Sequence, residues 1–380
     1  MTKTEQTGIF CIKAIYRYFN GIEGKNELEE GLTYEDVYRF SRFHKIDNLM
    51  FEILKEDLDD AFLERWKKKC LQNQAMAVFQ GEEIENLCRI FAENKIHYLP
   101  LKGFYLRNLY PRPDLRFMSD IDVLIDEKKM RKVKKLMKKN GYEVESYNYY
   151  MHDEYAKKPF VKFEIHRSLV SRDSEYYGYY SDILERVKEN PEQPFQHRLS
   201  LEDQYIFNLV HFYKHFTNSG SGIRYLIDSF LFERKYKDVI DRKYIDEELE
   251  KLCLKDFDEM MKEIVEEWFF QGKNGEKHHE EKRFILESGV YGRLSRQVEM
   301  RIEKSQGNVH KLLFRRLFPT VGKMKCIYNV LNRWIILLPF CYLHRLFLVF
   351  IAMFKKQDRI KSELKEIKKK DRERKKQEKE

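Results

Sequence analysis

Apolar residues recur three and four positions apart in Ile9, Ile12, Ile15, Tyr16 and Phe19, again in Val37, Phe40 and Phe43, and again in Leu58, Phe62 and Trp66. That period gathers them on one face of a helix. The run from Gln72 to Ala92 continues it through Met76, Phe79, Ile84, Leu87 and Phe91. A helical N-terminal region is therefore predicted for residues 1–93. At Ile96 the pattern changes. Ile96 to Leu101 is short, β-rich and bounded by Pro100, so it reads as a strand that turns at Lys102-Gly103 into a helix running through Leu109. Tyr110-Pro111-Arg112-Pro113-Asp114 breaks that helix. Met118 to Ile125 then alternates acid and apolar residues before becoming wholly apolar, as a strand entering a core from an open end would.

From Glu127 to Asn140 a helix carries Met130, Val133, Leu136 and Met137 on one stripe with lysines around the rest, and Asn140-Gly141 supplies its C-terminal cap. Two β-like runs follow, Tyr142 to Tyr150 and Pro159 to His166, read as an antiparallel hairpin with a polar connection. Residues 94–170 thus form an α+β unit around a small mixed sheet, inside a mostly helical chain. Helical periodicity returns over residues 171–310, and residues 311–380 hold an apolar segment, Trp334 to Phe354, and a charged tail.

Composition sharpens this picture at two points. Hydrophobic residues at 42% and aromatics at 14%, with 16 Gly and 8 Pro, rule out a disordered or collagen-like chain. The formal charge of +9 is concentrated: from Lys355 onward 13 Lys+Arg face 7 Asp+Glu, a local +6, leaving about +3 for the remainder. A nucleic-acid partner is not expected on that ground, and the lysine-rich helix from Lys128 to Lys139 lacks interleaved aromatics for base stacking. Six cysteines at irregular spacing and an N-terminus without a signal-peptide pattern point to a cytoplasmic protein. Trp334 to Phe354 would suit a buried helix, a helix lying on a membrane surface, or a span containing Arg345, so peripheral membrane contact through 334–354 stays open.

The candidate chemistry lies in the sheet. Residues two apart on a strand face the same way, so Asp120 and Asp122 project together. Two adjacent carboxylates repel unless a cation sits between them, and oxygen ligands so arranged suit Mg²⁺ or Mn²⁺ with substrate phosphates completing the shell. By the same parity Glu164 and His166 share a face, and Glu164 becomes a third acid if the two strands are neighbours. Such a trio can hold the metals of phosphoryl and nucleotidyl transfer. Lys102-Gly103, between strand and helix, offers backbone N–H groups to phosphate. His166 could contact a phosphate or acceptor, or serve as a structural partner of Glu164. His211 and His215, four apart, lack a third ligand at matching spacing and favour packing or a polar contact to the cleft. Arg224 and Asp228, also four apart, suit an ordinary helix ion pair.

Leu101-Lys102-Gly103, Leu109-Tyr110-Pro111, Leu115-Arg116-Phe117-Met118-Ser119-Asp120-Ile121-Asp122-Val123-Leu124-Ile125 and Asn140-Gly141-Tyr142 together resemble a bacterial, uncharacterised nucleotidyltransferase family of the DNA polymerase beta-like superfamily. The resemblance covers about residues 85 to 230. It implies that Asp120 and Asp122 carry the metals with Glu164 as third carboxylate, and that Lys102, Gly103, Arg116, Ser119 and His166 bind nucleotide. It also implies an NTP substrate and an acceptor that the sequence does not name. Gly103-Phe104 departs from the usual G-S or G-G pair, so Lys102 or Ser119 would replace the missing hydroxyl. The expected activity is transfer of an NMP group to a hydroxyl or phosphate. The alternatives are a catalytically weak nucleotide-binding regulator and a membrane-associated scaffold.

Overall fold

The computed structural model describes residues 1–305, 307–354 and 358–377. Four helices come first: α1 (Lys3–Phe19), α2 (Tyr34–His44), α3 (Asp47–Leu54) and α4 (Asp60–Glu93). The first two start on capping boxes, Thr2 with Glu5 and Thr33 with Asp36, which satisfy backbone donors that a helix start leaves unpaired. Next come β1 (Tyr98–Pro100), the single turn α5 (Gly103–Leu106), β2 (Ile121–Ile125), α6 (Met130–Lys139), β3 (Glu143–Ser146), β4 (His152–Lys157) and β5 (Val161–His166). The short helices α7 (Tyr177–Tyr180) and α8 (Ile183–Arg186) and the two-residue strands β6 (Lys188–Glu189) and β7 (His197–Arg198) lead to the helices α9 (Leu201–Ser219), α10 (Arg224–Tyr236), α11 (Arg242–Lys251) and α12 (Lys255–Val265). The described chain closes with α13 (His279–Ser288), α14 (Leu294–Lys304), α15 (Val309–Leu317), α16 (Val321–Ile327), α17 (Leu338–Phe354) and α18 (Asp358–Gln377).

The expected α+β class is what the chain adopts: mostly helix, with a five-stranded mixed sheet ordered β1-β2-β5-β4-β3 and a small second sheet. Only β2 and β5 are parallel. The predicted hairpin is corrected here, because β4 lies between β3 and β5 and pairs antiparallel with both. Its sequence hides it: Asp153 occupies an inward position, fully buried, where alternation calls for an apolar residue. The Arg167 guanidinium donates to Asp153 at 2.6 Å, and so stands in for apolar packing there.

Strand parity decides which way the sheet's chemistry faces. Ile121, Val123 and Ile125 of β2 and Val161, Phe163 and Ile165 of β5 pack with Ile84, Leu87 and Phe91 of α4 and Val133 and Met137 of α6 in one core. Asp122 and Glu164 therefore point to the other side, toward the helices that follow residue 200. Those helices and the N-terminal ones build a second core, in which Ile12, Ile15, Val37 and Trp66 meet Leu226, Phe230 and Trp268.

His44 ties the two helical sets together. Its fully buried ring has Nε2 3.0 Å from the Leu286 carbonyl, and its Nδ1 accepts from the Ile223 N–H at 3.2 Å. Burial drives its pKa from 6.5 down to about 3, only partly opposed by the Leu286 carbonyl. The unfolded chain therefore binds a proton that the folded chain refuses. The contribution is full above pH 6.5 and shrinks as pH falls toward 3, by an amount on the order of a few kcal/mol. Thermal unfolding should show Tm falling from pH 7 to pH 5, and His44→Gln should flatten that slope while lowering Tm at pH 7. An unchanged slope would remove His44 as the cause.

The charged tail is not free of the body: it docks as α18 on α14, with Ile367 buried against Val298 and Ile302. Glu363 accepts from Arg301 and Arg316, both at 2.5 Å. Among the described residues no helix is long and apolar enough to cross a membrane.

Candidate active site

The parallel register sets Asp122 opposite Glu164 and Leu124 opposite His166, so the two acids stand on neighbouring strands facing the same way. Asp120 lies one residue ahead of β2, and the exposed Ser119 hydroxyl donates to its Oδ1 at 3.1 Å. The three acids thus share one end of the sheet. The electrostatics of each carboxyl report the others.

Asp122 is buried, which works against its ionisation, yet the Lys102 ammonium and the His166 ring outweigh burial and hold its carboxyl well below the usual range. The Lys102 ammonium donates to Asp122 Oδ1 at 2.8 Å, and His166 Nε2 lies 2.8 Å from the same oxygen. Burial likewise opposes the charge on Lys102, but Asp122 and then Asp120 raise its pKa. Asp120 moves the other way: burial, then the charges of Asp122 and Glu164, push its carboxyl up. Three carboxyl groups beside the Lys102 ammonium and the His166 ring leave this end of the sheet short of positive charge. A divalent ion would supply it.

A second donor set overlaps the three acids only at Glu164. Donor atoms of His152, Glu164 and His166 all lie within 4.8 Å of one another. His152 Nδ1 is buried without a hydrogen-bond partner and lies 3.6 Å from Glu164 Oε2. Burial, then His166, lower the His152 pKa, which favours the neutral ring that a metal needs as ligand. A divalent cation would find donors here in Glu164, His152 and His166, a set that contains neither Asp120 nor Asp122. His152 was missed in the sequence because it belongs to the strand that was read as a connection. The only available signal was its spacing from Glu154 within a run of polar residues.

The Lys102-Gly103 bend is tighter than a simple strand-to-helix turn. Lys102 has φ 46° and ψ −113°, a region costing a residue with a side chain roughly 1–3 kcal/mol. A Cβ on Gly103 would stand 2.9 Å from Met118 Sδ and 3.0 Å from Arg116 Nη1, so those side chains would have to shift before any other residue could occupy the bend. The helix expected through Leu109 is a single α-turn followed by a 3₁₀ turn, Arg107–Leu109. The N–H of Phe104 is spent on the Leu101 carbonyl, and those of Tyr105 and Leu106 on the Lys102 carbonyl. The bend therefore offers the Lys102 side chain to the cleft rather than the N–H groups of Phe104, Tyr105 and Leu106.

A cleft of about 290 Å³ lies between this sheet end and the helices after residue 200. Lys102, Gly103, Arg116, Ser119, Asp120, Asp122 and Glu164 all line it. His166 is not among the lining residues, since its ring is buried behind Asp122 and Glu164. The opposite wall holds His211 and His215 of α9 and Arg224 and Tyr225 of α10. His211 Nδ1 is 3.1 Å from the Tyr225 hydroxyl and its Nε2 is 3.2 Å from His215 Nε2, a polar chain along the cleft wall. Burial, then Lys102 for His211 and Lys214 for His215, pull both rings down, His215 to about 4, so both are neutral near pH 7.

The expected Arg224–Asp228 pair does not form. Asp228 takes both arms of the Arg116 guanidinium at 2.8 Å each, and the Tyr110 hydroxyl donates to it at 2.9 Å. Arg224 instead donates to the Phe117 carbonyl at 3.1 Å. Both groups anchor the segment before Asp120 to α10. Arg116 reaches the cleft wall with its guanidinium already committed to Asp228. The sequence could not suggest that pairing, because its partners are 112 residues apart.

A family model described as Uncharacterised nucleotidyltransferase matches residues 31–270, spanning α2 to the end of α12 and all of the cleft lining except Val290 and Tyr291. No curated protein and no solved structure matches the chain.

Proposed function

The chain belongs to the uncharacterised nucleotidyltransferase family, and on that premise we propose that it moves the NMP group of an NTP, ATP included, onto a hydroxyl or phosphate acceptor, with Mg²⁺ or Mn²⁺. The observation that carries this reading is the shared face of Asp122 and Glu164 on paired parallel strands, with Asp120 beside them and Lys102 opposite. The Lys102-Gly103 bend followed by Ser119-Asp120-Ile121-Asp122 at the head of a sheet strand supports placing the chain in the DNA polymerase beta-like superfamily.

Asp120, Asp122 and Glu164 would hold the ions, with His152 Nδ1 3.6 Å from Glu164 Oε2. Bound divalent ions neutralise triphosphate charge and activate the attacking oxygen in the two-metal arrangement. The protein's own part is positional and electrostatic. His166 fixes the orientation of Asp122 from behind. Lys102 supplies positive charge on the cleft floor, and Gly103 lets phosphate approach where a Cβ would obstruct the packing against Met118. Glu164 completes the ligand set or takes the acceptor's proton. Ser119 is exposed beside Asp120, where its hydroxyl can turn to a phosphate. The acceptor enters between sheet and helices, along the wall formed by His211, His215 and Tyr225.

Incubation with α-labelled and γ-labelled NTPs and cell extract tests the reading. Label from the α-phosphate should appear on an acceptor, EDTA should abolish it, and Mg²⁺ or Mn²⁺ should restore it. Transfer of the γ-label would mean a different phosphoryl chemistry. Tight NTP binding with no transfer to any acceptor would favour the regulator.

A further inference from the structure

The last long apolar segment presents the reverse of the usual amphipathic pattern. α17 turns Cys341 inward against Met324, Ile327, Tyr328 and Leu331, and tethers itself by the Tyr342 hydroxyl, which donates to the Pro319 carbonyl at 2.5 Å. Arg345 also lies on this inner side, donating to the Arg316 carbonyl at 2.9 Å. The outer face is apolar: Phe340, Leu343 and Phe347, at helical spacing, are 68%, 64% and 60% exposed, and Ile336 just ahead of the helix is 77% exposed. Single exposed apolar residues are ordinary, whereas a contiguous stripe with its polar group turned inward marks a surface that something covers.

Charge indicates what covers it. Between Glu303 and Asp358 there is no acidic residue, and ten of the 54 intervening residues are Lys or Arg. Arg315 and Arg333 are exposed, and the Arg333 guanidinium lies 5.7 Å from the Trp334 ring at the start of the stripe. A second copy of the chain meeting this face symmetrically would set cation against cation, because a twofold interface pairs a patch with itself. An anionic lipid surface meets both requirements, taking the stripe into its acyl boundary and the cations into its headgroups. Crossing is not required of it. At 1.5 Å per residue the 17 residues of α17 reach about 25 Å, short of the roughly 30 Å hydrocarbon core.

We propose that Trp334–Ile336 and the outer face of α17 form a docking surface for an anionic bilayer, on which the chain lies without spanning it. The inference is independent of the nucleotidyl-transfer reading. It supplies a location for that cleft, at a membrane surface.

The full chain provides its own probe. Trp66 and Trp268 are fully buried while Trp334 is 54% exposed, so a fluorescence change on adding lipid reports Trp334. Vesicles of mixed phosphatidylcholine and phosphatidylglycerol should co-sediment the protein, blue-shift its emission and, if brominated, quench it. Pure phosphatidylcholine vesicles should bind about ten-fold or more weakly, and added salt should weaken the anionic binding. The variant Ile336→Glu/Phe340→Glu/Phe347→Glu should lose vesicle binding by a similar factor with an unchanged far-UV circular dichroism spectrum. Should that variant fail to fold, quenching of wild-type Trp334 decides alone. Equal binding to neutral and anionic vesicles, or no quenching, overturns the proposal. So does a doubled mass in light scattering without lipid binding, which would give the face to a second copy.

Discussion

Asp122→Asn is expected to lower nucleotidyl transfer by about three orders of magnitude or more, measured as α-label incorporated at saturating NTP. The substitution is nearly isosteric but removes the charge on which Lys102 and His166 both converge through Oδ1. It takes away a carboxylate facing Glu164 and leaves Lys102 and the His166 ring sharing a neutral amide, so the attraction for a divalent ion falls. Stability should fall as well, since Lys102 keeps only Asp120 as a nearby acid to offset its burial. Circular dichroism at the assay temperature separates that loss from a catalytic one. A folded Asp122→Asn chain that transfers label within a few-fold of wild type would dismiss the acid trio as the site of chemistry. Restoration of activity by Mn²⁺ in place of Mg²⁺ would instead point to weakened metal affinity as the defect.

The sheet and its parity were legible because both critical strands alternate cleanly. Ile121-Asp122-Val123 and Phe163-Glu164-Ile165 carry apolar residues on one face and acids on the other, so a period of two in the sequence suffices to place the acids together once the strands pair. Two kinds of feature were not legible. β4 escaped because Asp153 breaks its apolar face and is satisfied by Arg167, a compensation visible only in three dimensions, and His152 was lost with it. The bend escaped in part as well. A Lys-Gly pair before Phe104 suggests a helix start, but the one-turn helix and the positive φ of Lys102 follow from how closely Gly103 must approach Met118. Local propensity sets the elements, and close contact between distant segments sets the shape of the site.

The same distinction underlies the largest stability effect expected away from the acid trio. Asp228→Ala should destabilise the chain by about 3–5 kcal/mol in denaturant unfolding, because it leaves the Arg116 guanidinium buried without its partner. The Tyr110 hydroxyl loses its acceptor in the same step. Arg116→Met/Asp228→Leu should recover most of that loss, since removing both charges leaves only the Tyr110 hydroxyl without its acceptor. A double-mutant cycle then decides between the two partners that Asp228 could have. From sequence its companion is Arg224, four residues away on α10, and an exposed helix pair of that kind couples by only about 0.3–0.5 kcal/mol. From the structure its companion is Arg116, both partners being buried and held at two contacts. Coupling of Asp228 to Arg116 should therefore exceed its coupling to Arg224 several-fold. Transfer should fall along with stability in Asp228→Ala, because the pair fixes the segment that delivers Ser119 and Asp120 to the cleft. The charge-free double variant, if folded, tests whether that segment needs the ion pair itself or only a filled space beneath it.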